Sequence, residues 1–127
     1  MKKLRKLKEK LAPTFQKFPW GSQATTKLLK DLGFKSGKRY PHVFINKKTR
    51  LVVKECCFMN EHIPVGAIPT IRLIPKKNKC WVIQPLARLL NAKERAAYNK
   101  MEDKWPQCDS HDRNVGFYRN RLVLIDW

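Results

Sequence analysis

The chain has 127 residues, 43% of them hydrophobic, which fits one domain with a packed core and excludes a chain disordered throughout. Lys and Arg number 28 against 10 Asp and Glu, a formal charge of +18, which favours acidic partners (nucleic acid, nucleotide phosphates, an anionic membrane surface or an acidic protein) without specifying a fold. No apolar run approaches the roughly 20 residues of a membrane span, and the basic start Met1-Lys2-Lys3-Leu4-Arg5-Lys6 lacks the apolar stretch of a secretory signal.

Residues 2–12 carry six basic side chains with Leu4, Leu7 and Leu11 at helical spacing, which predicts a short amphipathic basic helix ended by Pro13. Phe15 to Gly21 read as a loop with aromatic anchors. Ser22 is placed to cap a second helix over Gln23–Asp31, with Gly33 just past its end. The first organisational boundary follows: residues 1–32 form basic N-terminal helices and residues 33–127 a core.

From Tyr40 the apolar period changes. His42–Ile45 and Leu51–Phe58 read as two strands joined by a turn at Asn46–Thr49, and Thr70–Ile74 and Cys80–Gln84 as a second hairpin. Leu86 to about Lys104 reads as the longest helix, broken by Trp105-Pro106. A last hairpin is expected from Val115–Tyr118, a turn at Arg119-Asn120, and an apolar return strand Leu122–Ile125 ending in Asp126. The predicted fold class is α+β, a small antiparallel sheet plus helices. Four cysteines (Cys56, Cys57, Cys80, Cys108), two of them adjacent, suggest no disulfide framework and predict a reduced, cytoplasmic protein, in the host cytoplasm if the chain is viral.

Chemistry concentrates near the carboxyl end. Asp109-Ser110-His111-Asp112-Arg113-Asn114 has the spacing Asp-x-x-x-x-Asn, and the strand after it ends in Asp126. Magnesium bound to a nucleotide takes hard oxygen ligands, such as one carboxylate and one amide carbonyl held on neighbouring backbone. A hairpin that starts at Asn114 and returns at Asp126 supplies that pair. Asp109, on the loop before it, is positioned to accept the proton of an attacking hydroxyl.

In these residues, Asp109-x-His111-x-x-Asn114-x-Gly116 followed by Leu124-Ile125-Asp126, the chain resembles the protein-kinase-like superfamily. It is more similar to the Asp-x-His-x-x-Asn loops of atypical, aminoglycoside-phosphotransferase-like kinases and of small bacteriophage kinase-like proteins than to the His-Arg-Asp form. The resemblance implies a minimal kinase-like fold with a truncated C-lobe, binding ATP and Mg2+. It assigns Asn114 and Asp126 to the metal, Asp109 to catalysis as base, and His111 to orienting Asp109 or Asp126. Lys54, in Val52-Val53-Lys54-Glu55, takes the place of the strand lysine that contacts nucleotide phosphates, and Val82–Leu86 that of the interlobe hinge. Gly33-x-x-x-Gly37 stands where a glycine-rich loop would lie, though a helix cap and a turn explain both glycines equally well. Of the two carboxylates near Lys54, Glu61 sits in a short loop where the family would have a full helix, and Glu55, adjacent to Lys54, points to the opposite face of the strand.

After Asp126-Trp127 the family would continue with an activation segment and substrate-binding helices. This leaves two functional readings open, a phosphotransferase and a pseudokinase or regulatory module. A different class stands beside them: a basic nucleic-acid-binding or partner-binding protein built on a relic kinase-like scaffold. Cys108-x-x-His111 with Cys56 and Cys57 offers a zinc reading as well, against the commoner buried free cysteine.

Overall fold

The computed structural model describes residues 2–18, 22–37, 42–56, 63–76, 79–101, 105 and 111–126. Among these the fold is α+β, with three helices, a five-stranded antiparallel sheet and a three-stranded one. The chain divides into two compact units, residues 1–58 with 69–86, and residues 59–68 with 87–127.

In the first unit, helix α1 (Lys2–Lys17) and helix α2 (Gln23–Asp31) accompany a sheet of β1 (Lys35–Ser36), β2 (Val43–Asn46), β3 (Leu51–Cys56), β4 (Ile71–Lys76) and β5 (Lys79–Pro85), in the order β1-β2-β3-β5-β4. The N-terminal helices therefore share a unit and a core with the sheet. Leu4, Leu7, Leu11 and Phe15 pack with Phe44, Leu51, Val53, Leu73, Trp81 and Ile83, and the Phe15 and Trp81 ring centroids lie 4.7 Å apart.

That packing carries α1 past the point where its sequence predicts an end. Pro13 lies inside the helix, where it removes a backbone hydrogen bond at a cost of about 3 kcal/mol. Phe15 continues the stripe of Leu4, Leu7 and Leu11, and burying an aromatic side chain of its size returns a comparable ~2–3 kcal/mol. Tertiary packing decides the helix end.

Helix α2 follows its sequence signals. Ser22 Oγ accepts the Thr25 N–H. At the other end Gly33, at φ +96°, donates to the Lys30 carbonyl, and Phe34 donates to that of Leu29. Gly33 is thus the residue that lets the chain turn out of the helix. Asn46 ties this end to the β2–β3 turn: its Nδ2 donates to the Leu32 carbonyl while its Oδ1 accepts from the Lys48 and Thr49 N–H groups.

The second unit is built on β6 (Arg88–Leu89), β7 (Val115–Tyr118) and β8 (Arg121–Leu124), in that order, with helix α3 (Ala92–Asn99) between β6 and β7. The helix expected over Leu86–Lys104 is thus shorter, because its first residues pair with β7 and Asn91 caps what remains. Asn91 Oδ1 accepts the Glu94 N–H and Glu94 Oε1 accepts the Asn91 N–H, a reciprocal pair that starts the helix where it stands. Arg88 clamps both Glu94 oxygens at 2.8 Å and lies 4.8 Å from the centre of the Phe117 ring. Leu90, Val115 and Leu124 form the core, with Tyr98, Trp105, Phe117 and Leu122 against it. On the far side of β8, Leu124 donates to Gly66 and accepts from Ile68, and Trp105 Nε1 donates to the Val65 carbonyl at 2.8 Å.

Candidate functional site

The β7–β8 hairpin positions two of the expected site residues. Arg119 and Asn120 both take positive φ, 51° and 62°, the left-handed pair of a two-residue hairpin turn whose twist matches that of its strands. This tight turn fixes the register Val115↔Leu124 and Tyr118↔Arg121, so the residue before β7 and the residues after β8 meet at the open end. There the Asn114 carbonyl accepts the Ile125 N–H at 2.7 Å and the Asp126 N–H at 3.3 Å.

His111 belongs to the same corner. Its carbonyl accepts the Asn114 N–H at 2.9 Å, and its Nδ1 accepts the Arg113 N–H at 3.2 Å. Asp112, beside it, accepts from Asn99 Nδ2 at 3.1 Å, which joins the turn to the end of α3. His111, Asn114 and Asp126 are thus brought onto one stretch of bonded backbone, with the Asn114 and Asp126 side chains part-buried and His111 exposed. Asp109 lies outside the described residues, as do Cys108 and Glu61.

No family model, curated protein or solved structure matches this chain. Asn114 offers an amide carbonyl and Asp126 a carboxylate, both hard oxygen donors. Two such ligands suit magnesium, which keeps several waters and takes phosphate oxygens for the rest of its shell. Among the described residues no group of three or more His, Cys, Asp or Glu side chains gathers as a metal site; the Asn114–Asp126 pair is of a different composition.

Gly116, the motif's glycine, has a packing explanation. A Cβ there would stand 2.9 Å from the Arg88 carbonyl oxygen, so the close approach of β6 to β7 requires its absence.

Lys54 sits in the first unit, on β3, opposite Val82 of β5. Directly opposed residues share a face, and Arg72 of β4 also pairs with Val82, so Lys54, Val82 and Arg72 form a row across three strands. The next row holds Val52 and Gln84, and Gln84 Nε2 donates to Thr70 Oγ1 at 3.0 Å. This is the face away from α1 and α2. It is buried yet polar: Lys54 is 7% exposed, Thr70 8% and Gln84 3%. Glu55, opposite Trp81, lies on the helix-bearing face, as the alternation of the strand predicts. The signal for Gln84 was present in the same alternation, with Gln84 two residues after Val82.

Strand β5 ends at Pro85 and the first unit at Leu86, whose N–H donates to the Arg50 carbonyl at 2.8 Å. The segment read as a hinge, Val82–Leu86, precedes one of the three points at which the chain passes between the two units, the others lying after residues 58 and 68.

Proposed function

We propose that this chain is a minimal kinase-like module that binds a magnesium–nucleotide, with ATP the expected form. Asn114 and Asp126 hold the metal, Lys54 contacts phosphate, and His111 orients the loop. The bound metal would neutralise phosphate charge at the site. The observation that carries this reading is the backbone clamp of Asn114 on Ile125 and Asp126, which keeps an amide and a carboxylate at one end of a rigid hairpin. One further feature supports it: Lys54 is a buried lysine on the strand paired with β5.

Phosphotransfer is a separate step. It requires Asp109 as base and an acceptor held in line with the terminal phosphate; without these the module binds nucleotide as a pseudokinase or regulatory element. Isothermal titration of ATP with magnesium tests the binding claim. Binding that D126A and N114A each weaken at least tenfold is the expected result. Binding unchanged in both variants, or no heat at millimolar nucleotide, defeats the assignment. For the catalytic step, radiolabel transfer that survives Asp109→Asn removes Asp109 from its role.

A further inference from the structure

We propose that the exposed face of α1 is a docking surface for the phosphate backbone of duplex nucleic acid, with Lys3, Lys6, Lys10 and Lys17 as its contact row. The helix holds seven Lys and Arg (Lys2, Lys3, Arg5, Lys6, Lys8, Lys10, Lys17) against one carboxylate, Glu9. At 100° per residue, Lys3, Lys6, Lys10 and Lys17 fall within about 60° of one another on one flank. The row runs for about 21 Å, 14 residues at ~1.5 Å each. All four side chains are exposed, and none of them makes an ion pair with another described residue.

Folding does not explain this arrangement. Lys3 with Lys6, Lys6 with Lys10 and Lys2 with Lys6 are like charges at helical-neighbour spacing, each costing roughly 0.2–0.5 kcal/mol. The first turn holds no acidic residue, so the positive end of the helix dipole meets only cations, which is unfavourable again. An anion lying along the row relieves both penalties. A duplex carries one negative charge per roughly 1.7 Å of axis, a regular array that a straight row of lysines can follow.

Other polyanions fit less well. An amphipathic helix on a membrane inserts its apolar face, but here that face is already spent: Leu4, Leu7, Leu11 and Phe15 are buried against the sheet. Single-stranded nucleic acid is held largely by aromatic stacking, and Phe15, the one aromatic residue of α1, is buried. What the lysine row presents outward is charge, suited to a regular backbone and indifferent to sequence.

The test is fluorescence anisotropy of a labelled mixed-sequence DNA duplex with the full chain across a salt series. K3Q/K6Q/K10Q/K17Q is expected to reduce the salt slope by about 3–4, at ~0.9 for each phosphate no longer neutralised, and to weaken low-salt binding at least tenfold. The half-variants K3Q/K6Q and K10Q/K17Q each take about half of that loss, so the result does not depend on the fourfold variant alone. A charge-matched control, K27Q/K30Q/K47Q/K48Q, removes four exposed lysines elsewhere and is expected to keep most of the slope. Equal losses in the two fourfold variants overturn the proposal in favour of diffuse net charge. Tighter binding to the single strand, to anionic phospholipid vesicles or to polyglutamate at matched salt overturns it as well. Nucleotide binding through Asn114 and Asp126 is expected to be unaffected by the α1 variants, so this surface and the nucleotide reading stand or fall separately.

Discussion

Asn114 holds Asp126 by its backbone: one carbonyl accepts both the Asp126 N–H, at 3.3 Å, and the Ile125 N–H, at 2.7 Å. These two backbone bonds do not depend on either side chain. Asn114→Ala and Asp126→Ala, both at part-buried positions, are expected to lower unfolding free energy by about 1 kcal/mol, the centre of the range for single substitutions. Chemical denaturation of the two variants measures this. A loss several times larger makes the side chains structural and removes the reason to read them as ligands.

Gly116 has a contact that admits no side chain. Its substitute Cβ would lie 2.9 Å from the Arg88 carbonyl, so Gly116→Ala is expected to push β6 from β7 and cost about 1–3 kcal/mol, as overpacking does. Urea denaturation checks the value, and hydrogen exchange at the amides of β6 and β7 locates the change.

Helix α1 is anchored by buried side chains and weakened by Pro13. Leu11 is fully buried, so Leu11→Ala is expected to cost about 2–5 kcal/mol. Pro13 is exposed, and Pro13→Ala, which restores a helix donor, is expected to stabilise by up to about 3 kcal/mol. Thermal unfolding of both variants tests whether α1 belongs to the cooperative unit: if it melts on its own, Leu11→Ala leaves the main transition in place.

The Glu94 carboxyl is held at about 2, below its ordinary 4.5, by the Arg88 side-chain hydrogen bonds first and the Asn91 N–H second. A depressed carboxyl stabilises the folded state above the ordinary value and loses that contribution as pH falls towards about 2. NMR titration of the Glu94 carboxyl carbon should give a midpoint near 2, moving up towards 4.5 in Arg88→Met. An unmoved midpoint in that variant would assign the shift to the helix cap alone.

Much of this architecture can be read along the chain. The Ser22 and Gly33 signals bound α2, alternation marks β2, β3 and β5, and the hairpin about Arg119-Asn120 places Asn114 near Asp126. The parts that cannot be read depend on distant partners. Pro13 ends a helix by local rules, and the burial of Phe15 against partners far away in sequence, Trp81 among them, carries α1 through it. Arg88 and Leu89 extend a helical-looking run, yet they pair with Phe117 and Gly116, whose spacing from them no local pattern encodes. The Asn91-x-x-Glu94 capping signature was legible and marks the true start of α3. The polar row of Gln84 and Thr70 becomes a feature only once β4 and β5 are in register.

The magnesium–nucleotide site proposed above lies at the open end of the β7–β8 hairpin. Thermal unfolding with ATP, with and without magnesium, tests it most directly, because a ligand that binds only the folded state stabilises it by about 2.7 kcal/mol at 100 times its Kd. The expected result is a magnesium-dependent rise in Tm that grows with nucleotide concentration and is lost in Asp126→Ala. A Tm that ignores magnesium, or a rise that Asp126→Ala keeps in full, contradicts it.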